Sequence, residues 1–161
     1  MMAVFFVTFP KTGRTASMRI DGMWSLCDDG ILRPVIRGEI RARDHSWLKI
    51  DFLVDTGADR TVLDAETLDL LRLQAIESTD RLSGVGGLAD SVLVATQIRF
   101  DHDEGGKAVF KGQFAGFTSL EALDMSVLGR DISNMLSLIV DRQGDTVCLV
   151  GQPHHYIIGK R

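Results

Sequence analysis

The chain has 161 residues, 45% hydrophobic and 25% charged, the make-up of a soluble globular protein long enough for one domain with a real core. Its 18 Lys and Arg against 22 Asp and Glu leave a formal net charge of −4, which gives no reason to expect a nucleic acid or an anionic membrane as partner, and no basic run or patch is visible. Two isolated cysteines, Cys27 and Cys148, make neither a disulfide framework nor a zinc spacing and read as buried thiols in a reducing compartment.

The first nine residues are apolar but lack a basic n-region and a small-residue cleavage pattern, so a secretory signal is not expected. No stretch reaches the roughly 20 apolar residues of a membrane helix, and the expected location is cytoplasmic. In chain order, Val4–Phe9, Ile31–Arg41, Trp47–Val54, Val92–Phe100, Ala108–Phe117, Leu138–Asp141 and Thr146–Val150 are short, apolar and rich in β-branched residues, and read as strands. Turn signals separate them at Asp28-Asp29-Gly30, at Asp103-Glu104-Gly105-Gly106 and at Arg142-Gln143-Gly144-Asp145, the last a hairpin turn. Asp64–Leu73 and Asp131–Leu136 read as short helices. Residues 1–30 carry a weaker pattern and read as an added strand pair or an arm.

The chemistry-bearing stretch runs from Phe52 to Leu63. An apolar strand enters Asp55, Thr56-Gly57-Ala58 supplies a small-residue turn, and Val62-Leu63 returns to apolar residues. A carboxylate at the end of a buried strand is costly, because desolvation disfavours its charged form. Gly57 lets the backbone approach closely and aim its N–H at a carboxylate oxygen, and Thr56 offers a hydroxyl to brace the loop. Such a loop suits two copies facing each other across a two-fold axis, where two carboxylates share a proton. One is then the base that activates a water and the other the acid that protonates the peptide. Taken alone, three such residues are as well explained by an Asp that merely caps a turn.

Two later segments give the context. Leu82-Ser83-Gly84-Val85-Gly86-Gly87-Leu88 puts three glycines around one valine, a hairpin tip suited to a lid over an extended peptide. Gly84 to Ala89 also fits the dinucleotide pattern G-x-G-x-x-A, which needs a strand before it and a helix after it; the apolar run from Val92 favours a strand instead. Met125-Ser126-Val127-Leu128-Gly129-Arg130-Asp131 is a strand ending in glycine, then a charged pair and a short helix. Leu128-Gly129 would let this strand pack beside the Asp55 loop. Arg130 is expensive to bury unpaired and has Asp59 as its natural bidentate partner; alone, it reads equally well as an exposed helix-start Arg.

These three segments in this order resemble the retropepsin family, the single-domain aspartic proteases of retroviruses and their bacterial relatives, over residues 31–150. The resemblance implies a mostly β, closed β-barrel fold with one or two short helices, built as a homodimer with one active site on the dimer axis and needing no cofactor. It implies Asp55, Thr56 and Gly57 as the catalytic group: Asp55 from each subunit forms the dyad, Thr56 bonds across the interface and Gly57 bonds substrate. Asp59 would contact the peptide backbone and pair with Arg130, with Gly129 as structural support. Leu53, Ala58, Val62, Met125 and Val127 fall on pocket positions, and Gly84, Val85 and Gly86 on the flap, where Val85 covers substrate through a water. The implied partners are a second copy and a peptide or protein substrate.

Three departures carry expectations of their own. Arg60 stands where an acidic residue is common and predicts tolerance of acidic substrate side chains. Residues 1–30 are long for the family and read as an interface strand, a pro-segment or decoration. Residues 151–161 form a tail, with His154-His155-Tyr156-Ile157-Ile158 as a further interface strand. His154 and His155 lack a third ligand nearby and do not make a metal site. His45 and His102 read as surface residues. With Ala58 in place of a Ser that would donate to the carboxylate, the dyad is expected to work nearer neutral pH than pepsin does. The alternative reading is a non-catalytic or latent retropepsin-fold dimer acting as a peptide-binding module.

Overall fold

Alternation of apolar and polar residues sets the long strands, and the side chains they turn inward meet in one core. Residues 6–8, 18–76, 82–84 and 87–151 are described by the computed structural model, with side chains described for residues 18–76 and 90–151. The first strands are β1 (Phe6–Thr8), β2 (Arg19–Asp21), β3 (Met23–Leu26), β4 (Leu32–Arg41), β5 (Trp47–Val54) and β6 (Val62–Leu63), followed by helix α1 (Ala65–Leu71). Then come β7 (Ala75–Ile76), β8 (Leu82–Gly84), β9 (Gly87–Ala89), β10 (Ser91–His102), β11 (Gly106–Phe117) and β12 (Val127–Leu128). Helix α2 (Arg130–Ser133), β13 (Ser137–Asp141) and β14 (Thr146–Val150) complete the described residues.

The protein is mostly β. Nine strands join in one sheet, and within it the pairings return on themselves: β11 pairs β6, β6 pairs β12, β12 pairs β5, β5 pairs β4, β4 pairs β10, and β10 pairs β11. A separate sheet of β13, β14 and β2 packs against this circuit, and β8 pairs β9 on its own.

Inside the circuit Ile36 and Ile40 of β4, Phe52 of β5, Ile98 and Phe100 of β10 and Phe110 of β11 are fully buried. The Phe100 ring lies 5.9 Å from that of Phe52 and 5.8 Å from that of Phe110, centroid to centroid, in tilted and edge-on contacts. Gly38 makes room for this cluster: a Cβ there would stand 2.6 Å from the Phe100 ring.

Helix α1 starts at Asp64, whose Oδ1 accepts the Thr67 N–H at 2.8 Å, and stops at Arg72, which takes a left-handed conformation at φ 49°. That stop leaves Leu73 outside the helix. Helix α2 is one turn, shorter than 131–136. Residues 19–26, weakly patterned in the sequence, form strands because of tertiary pairing: β2 adds to β14, β3 adds to β4, and Met18 and Ile20 enter the core.

Two side chains depart from expectation. His102 is buried, 7% exposed, with neither ring nitrogen hydrogen-bonded among the described residues. It shares a face with Ile98 and Phe100, so strand alternation turns it inward despite the polar turn that follows. Cys148 is buried as expected, but Cys27 is only half-buried beside the Asp28–Gly30 turn.

Candidate active site

Strand β5 delivers Asp55 by simple alternation. Phe52 and Val54 face the core, while Leu53 and Asp55 share the other face and are half-buried. The chain then turns: the Gly57 N–H donates to Asp55 Oδ1 at 2.8 Å, and the Ala58 N–H donates to the Asp55 carbonyl at 3.3 Å. Thr56, Gly57 and Asp59 are exposed in the single chain; Ala58 and Arg60 are half-buried.

Strand β12 braces this loop from beside it. It runs parallel to β5, with Val127 opposite Leu53 and Leu128 opposite Val54, and antiparallel to β6. The Leu53 N–H donates to Ser126 O at 2.9 Å and the Asp55 N–H to Leu128 O at 3.2 Å. Beyond β12 the Arg130 N–H donates to Ala58 O at 2.9 Å and the Asp131 N–H to Asp59 O at 3.2 Å. The first turn of α2 is therefore stitched to the Asp55 loop by backbone bonds that do not depend on side-chain identity. Gly129 permits this approach, since a Cβ there would lie 2.2 Å from the Arg60 carbonyl carbon.

The Arg130 guanidinium pairs with Asp59 through one nitrogen and one oxygen, not as a bidentate fork. Both side chains are open to solvent, 47% and 80% exposed, so Arg130 is not buried within the single chain. Val62 and Val127 pair across β6 and β12 and are buried. Leu53 and Met125 instead line an open cleft of about 750 Å³ with Leu26, Arg33, Leu120 and Leu123. Gly84 lies in β8 opposite Gly87 of β9; Val85 and Gly86 are outside the described residues, as are His154 and His155. Gly87–Ala89 is a strand followed by β10, so the helix that a dinucleotide loop requires does not follow it.

Two carboxylates that the sequence did not single out hold the loop in place. Asp131 Oδ1 accepts the Thr61 N–H, the Thr61 hydroxyl and the Ile132 N–H at 2.9, 2.7 and 2.9 Å, while Thr61 Oγ1 accepts the Gly129 N–H at 3.1 Å. Burial pushes the Asp131 carboxyl above its ordinary range, against the opposing pull of these hydrogen bonds. Asp64 Oδ2 accepts the Ser126 and Thr67 hydroxyls at 2.5 and 2.7 Å, which ties α1 to the residue before β12. Burial works against the charged form of Asp64 too, but the bonds from Ser126 and Thr67 outweigh it and hold the carboxyl below its ordinary range. The available signal was position, since Asp131 follows Gly129-Arg130 and Asp64 stands at a helix start. Among the described residues no group of three His, Cys, Asp or Glu could hold a metal ion.

A mostly β chain with an Asp-Thr-Gly loop braced in this way matches a protease family. The family described as aspartyl protease matches residues 40–132, more than half of the chain, and the protein belongs to that family. Among solved structures it is similar to EIAV protease complexed with the inhibitor HBY-793, at 25% identity over 63% of this chain and 86% of that one, with a TM-score of 0.49. It is also similar to a retropepsin-like aspartic protease from Rickettsia conorii, at 19% identity over 94% of this chain and 95% of that one, with a TM-score of 0.48. No curated protein matches it. No helix among the described residues is long and apolar enough to cross a membrane.

Proposed function

We propose that the protein is a cytoplasmic aspartic endopeptidase whose active site forms between two copies of the chain, each contributing Asp55. The observation that carries this reading is the Asp55 carboxylate, half-buried at the end of β5 and fixed by the Gly57 N–H at 2.8 Å, in a chain of the aspartyl protease family. One chain supplies one such loop, so the second carboxylate comes from a second copy. Two carboxylates that close share one proton. The ionised one takes a proton from a water as that water attacks the peptide carbonyl. The protonated one gives its proton to the carbonyl oxygen, and the leaving nitrogen is protonated as the tetrahedral intermediate collapses.

In the same reading Thr56 bonds across the dimer interface, while Gly57 and Asp59 bind the substrate backbone. Leu53, Ala58, Arg60, Val62, Met125 and Val127 shape the side-chain pockets. The hairpin carrying Gly84, Val85 and Gly86 closes over the peptide. Residues 31–150 carry the protease motifs, residues 18–26 complete their sheets and core, and the tail after Val150 adds to the interface. The latent alternative removes residues 1–30; it would strip β2 from β14 and β3 from β4 and draw Met18 and Ile20 out of the core. Self-cleavage before Ile31 tests it.

The deciding experiment is cleavage of casein and a peptide library by the wild type and by Asp55→Asn, with sedimentation of both. Hydrolysis by a wild-type dimer that disappears in Asp55→Asn is expected. Hydrolysis retained in Asp55→Asn, or carried out by a strict monomer, overturns the mechanism. Inactivity of both with retained peptide binding selects the non-catalytic module.

A further inference from the structure

Four separate segments, none of them from the Asp55 loop, meet around a cleft of about 910 Å³. Its floor is β10 and β11, with Gln97 paired opposite Lys111 and Ala95 opposite Gln113. One wall is residues 73–76, whose β7 pairs with β10. The other is the end of β4 and the turn after it, with Arg41, Arg43 and His45. The walls are fixed by hydrogen bonds: the Thr96 hydroxyl donates to Arg41 O at 2.6 Å, and the Arg43 N–H donates to Leu71 O at 3.0 Å.

The charge of this cleft is opposite to that of the chain. Arg41, Arg43 and Lys111 line it, and none of them makes an ion pair among the described residues, whereas Arg19, Arg33, Arg37, Arg99, Lys107 and Arg130 all do. None of the described lining residues is a carboxylate. Asp44, the nearest in sequence, turns into its own turn and accepts the N–H and hydroxyl of Ser46 at 2.9 and 2.6 Å. Arg41 Nε is buried with no hydrogen-bond partner among the described residues. The lining also has an apolar part, with Leu73, Ala75 and Ile76 on the 73–76 wall and Ala95 in the floor. The volume is that of a small-molecule site.

We propose that this cleft binds a small organic diphosphate, its phosphate oxygens held by Arg41, Arg43 and Lys111 and its organic body laid against Leu73 and Ile76. Guanidinium groups match phosphate oxygens in pairs, and several cations at one place suit a group carrying several negative charges. The inference is independent of proteolysis. The test is thermal unfolding and calorimetric titration of the full chain with ADP and with inorganic pyrophosphate. Both are expected to raise Tm, ADP more than pyrophosphate because of the apolar wall. The rise with ADP should be about 3–6 °C at roughly tenfold over its Kd. Lys111→Gln and Arg43→Gln, both at exposed positions, should leave the unliganded Tm in place and weaken ADP binding at least about fivefold each. The proposal is overturned if neither ligand binds, if binding is undiminished in both variants, or if a single-stranded RNA binds and the two diphosphates do not.

Discussion

The carboxylate of Asp131 holds both donors of Thr61, the backbone N–H at 2.9 Å and the hydroxyl at 2.7 Å. Because Thr61 Oγ1 also accepts the Gly129 N–H, three residues from two distant segments are locked through one hydroxyl and one carboxylate. That lock sits directly behind the loop carrying Asp55.

Asp131→Ala removes the acceptor and leaves the Thr61 and Ile132 N–H groups unpaired, so it should lower stability by about 2–4 kcal/mol in urea unfolding. Asp131→Asn keeps an acceptor without the charge and should stay within about 1 kcal/mol of wild type at neutral pH. The folded-state carboxyl of Asp131 is raised above its ordinary value of 3.8, so the folded protein binds the proton more tightly than the unfolded chain. The contribution of Asp131 to stability therefore falls as pH rises from the ordinary carboxylate range through the raised value, and Asp131→Asn should remove that slope. An Asn variant as unstable as the Ala variant would refute this account.

Gly129→Ala tests the closeness of the two segments. Its Cβ would lie 2.2 and 2.3 Å from the carbonyl carbon and oxygen of Arg60, which are backbone atoms that no side-chain rotation can clear. A loss of about 3 kcal/mol or more is expected, or failure to fold. A variant with wild-type unfolding would mean that the two segments do not pack this closely.

The pair between Arg130 and Asp59 is solvent-exposed in the single chain, and such pairs contribute about 0–1 kcal/mol. Arg130→Ala should cost no more than that in dilute protein. A larger loss that grows with protein concentration would show that a second copy covers the pair.

His102 offers a gain. Both ring nitrogens are buried without a partner among the described residues, and its strand neighbour on the same face is Phe100. His102→Phe should raise stability by about 1 kcal/mol, read as a higher denaturant midpoint with an unchanged slope. Destabilisation would mean that the imidazole has a bonding partner or that the site is too small for a phenyl ring.

The long elements were legible in the sequence because local alternation decides them. Trp47–Val54 and Thr146–Val150 begin and end where the apolar pattern does, and Asp64 marks the start of α1 because its carboxylate suffices to cap it. The Asp55 stretch was legible for the same reason, as a buried strand meeting a small-residue turn. Two-residue strands such as Val62–Leu63 and Val127–Leu128 carry too little pattern to be strands by themselves. They exist because β5, β6 and β12 meet at Gly129, where no Cβ intervenes. The burial of His102 was set by the strand face, not by residue polarity. The gathering of Arg41, Arg43 and Lys111 was hidden altogether, since the cations of an acidic chain come from separate segments and only sheet pairing and the fold of residues 73–76 set them around one cleft. Sequence alone determined the class of the strands and where a buried strand meets the small-residue turn at Asp55; tertiary structure decided what braces that loop and where unpaired charge collects, because both depend on contacts between residues far apart in the chain.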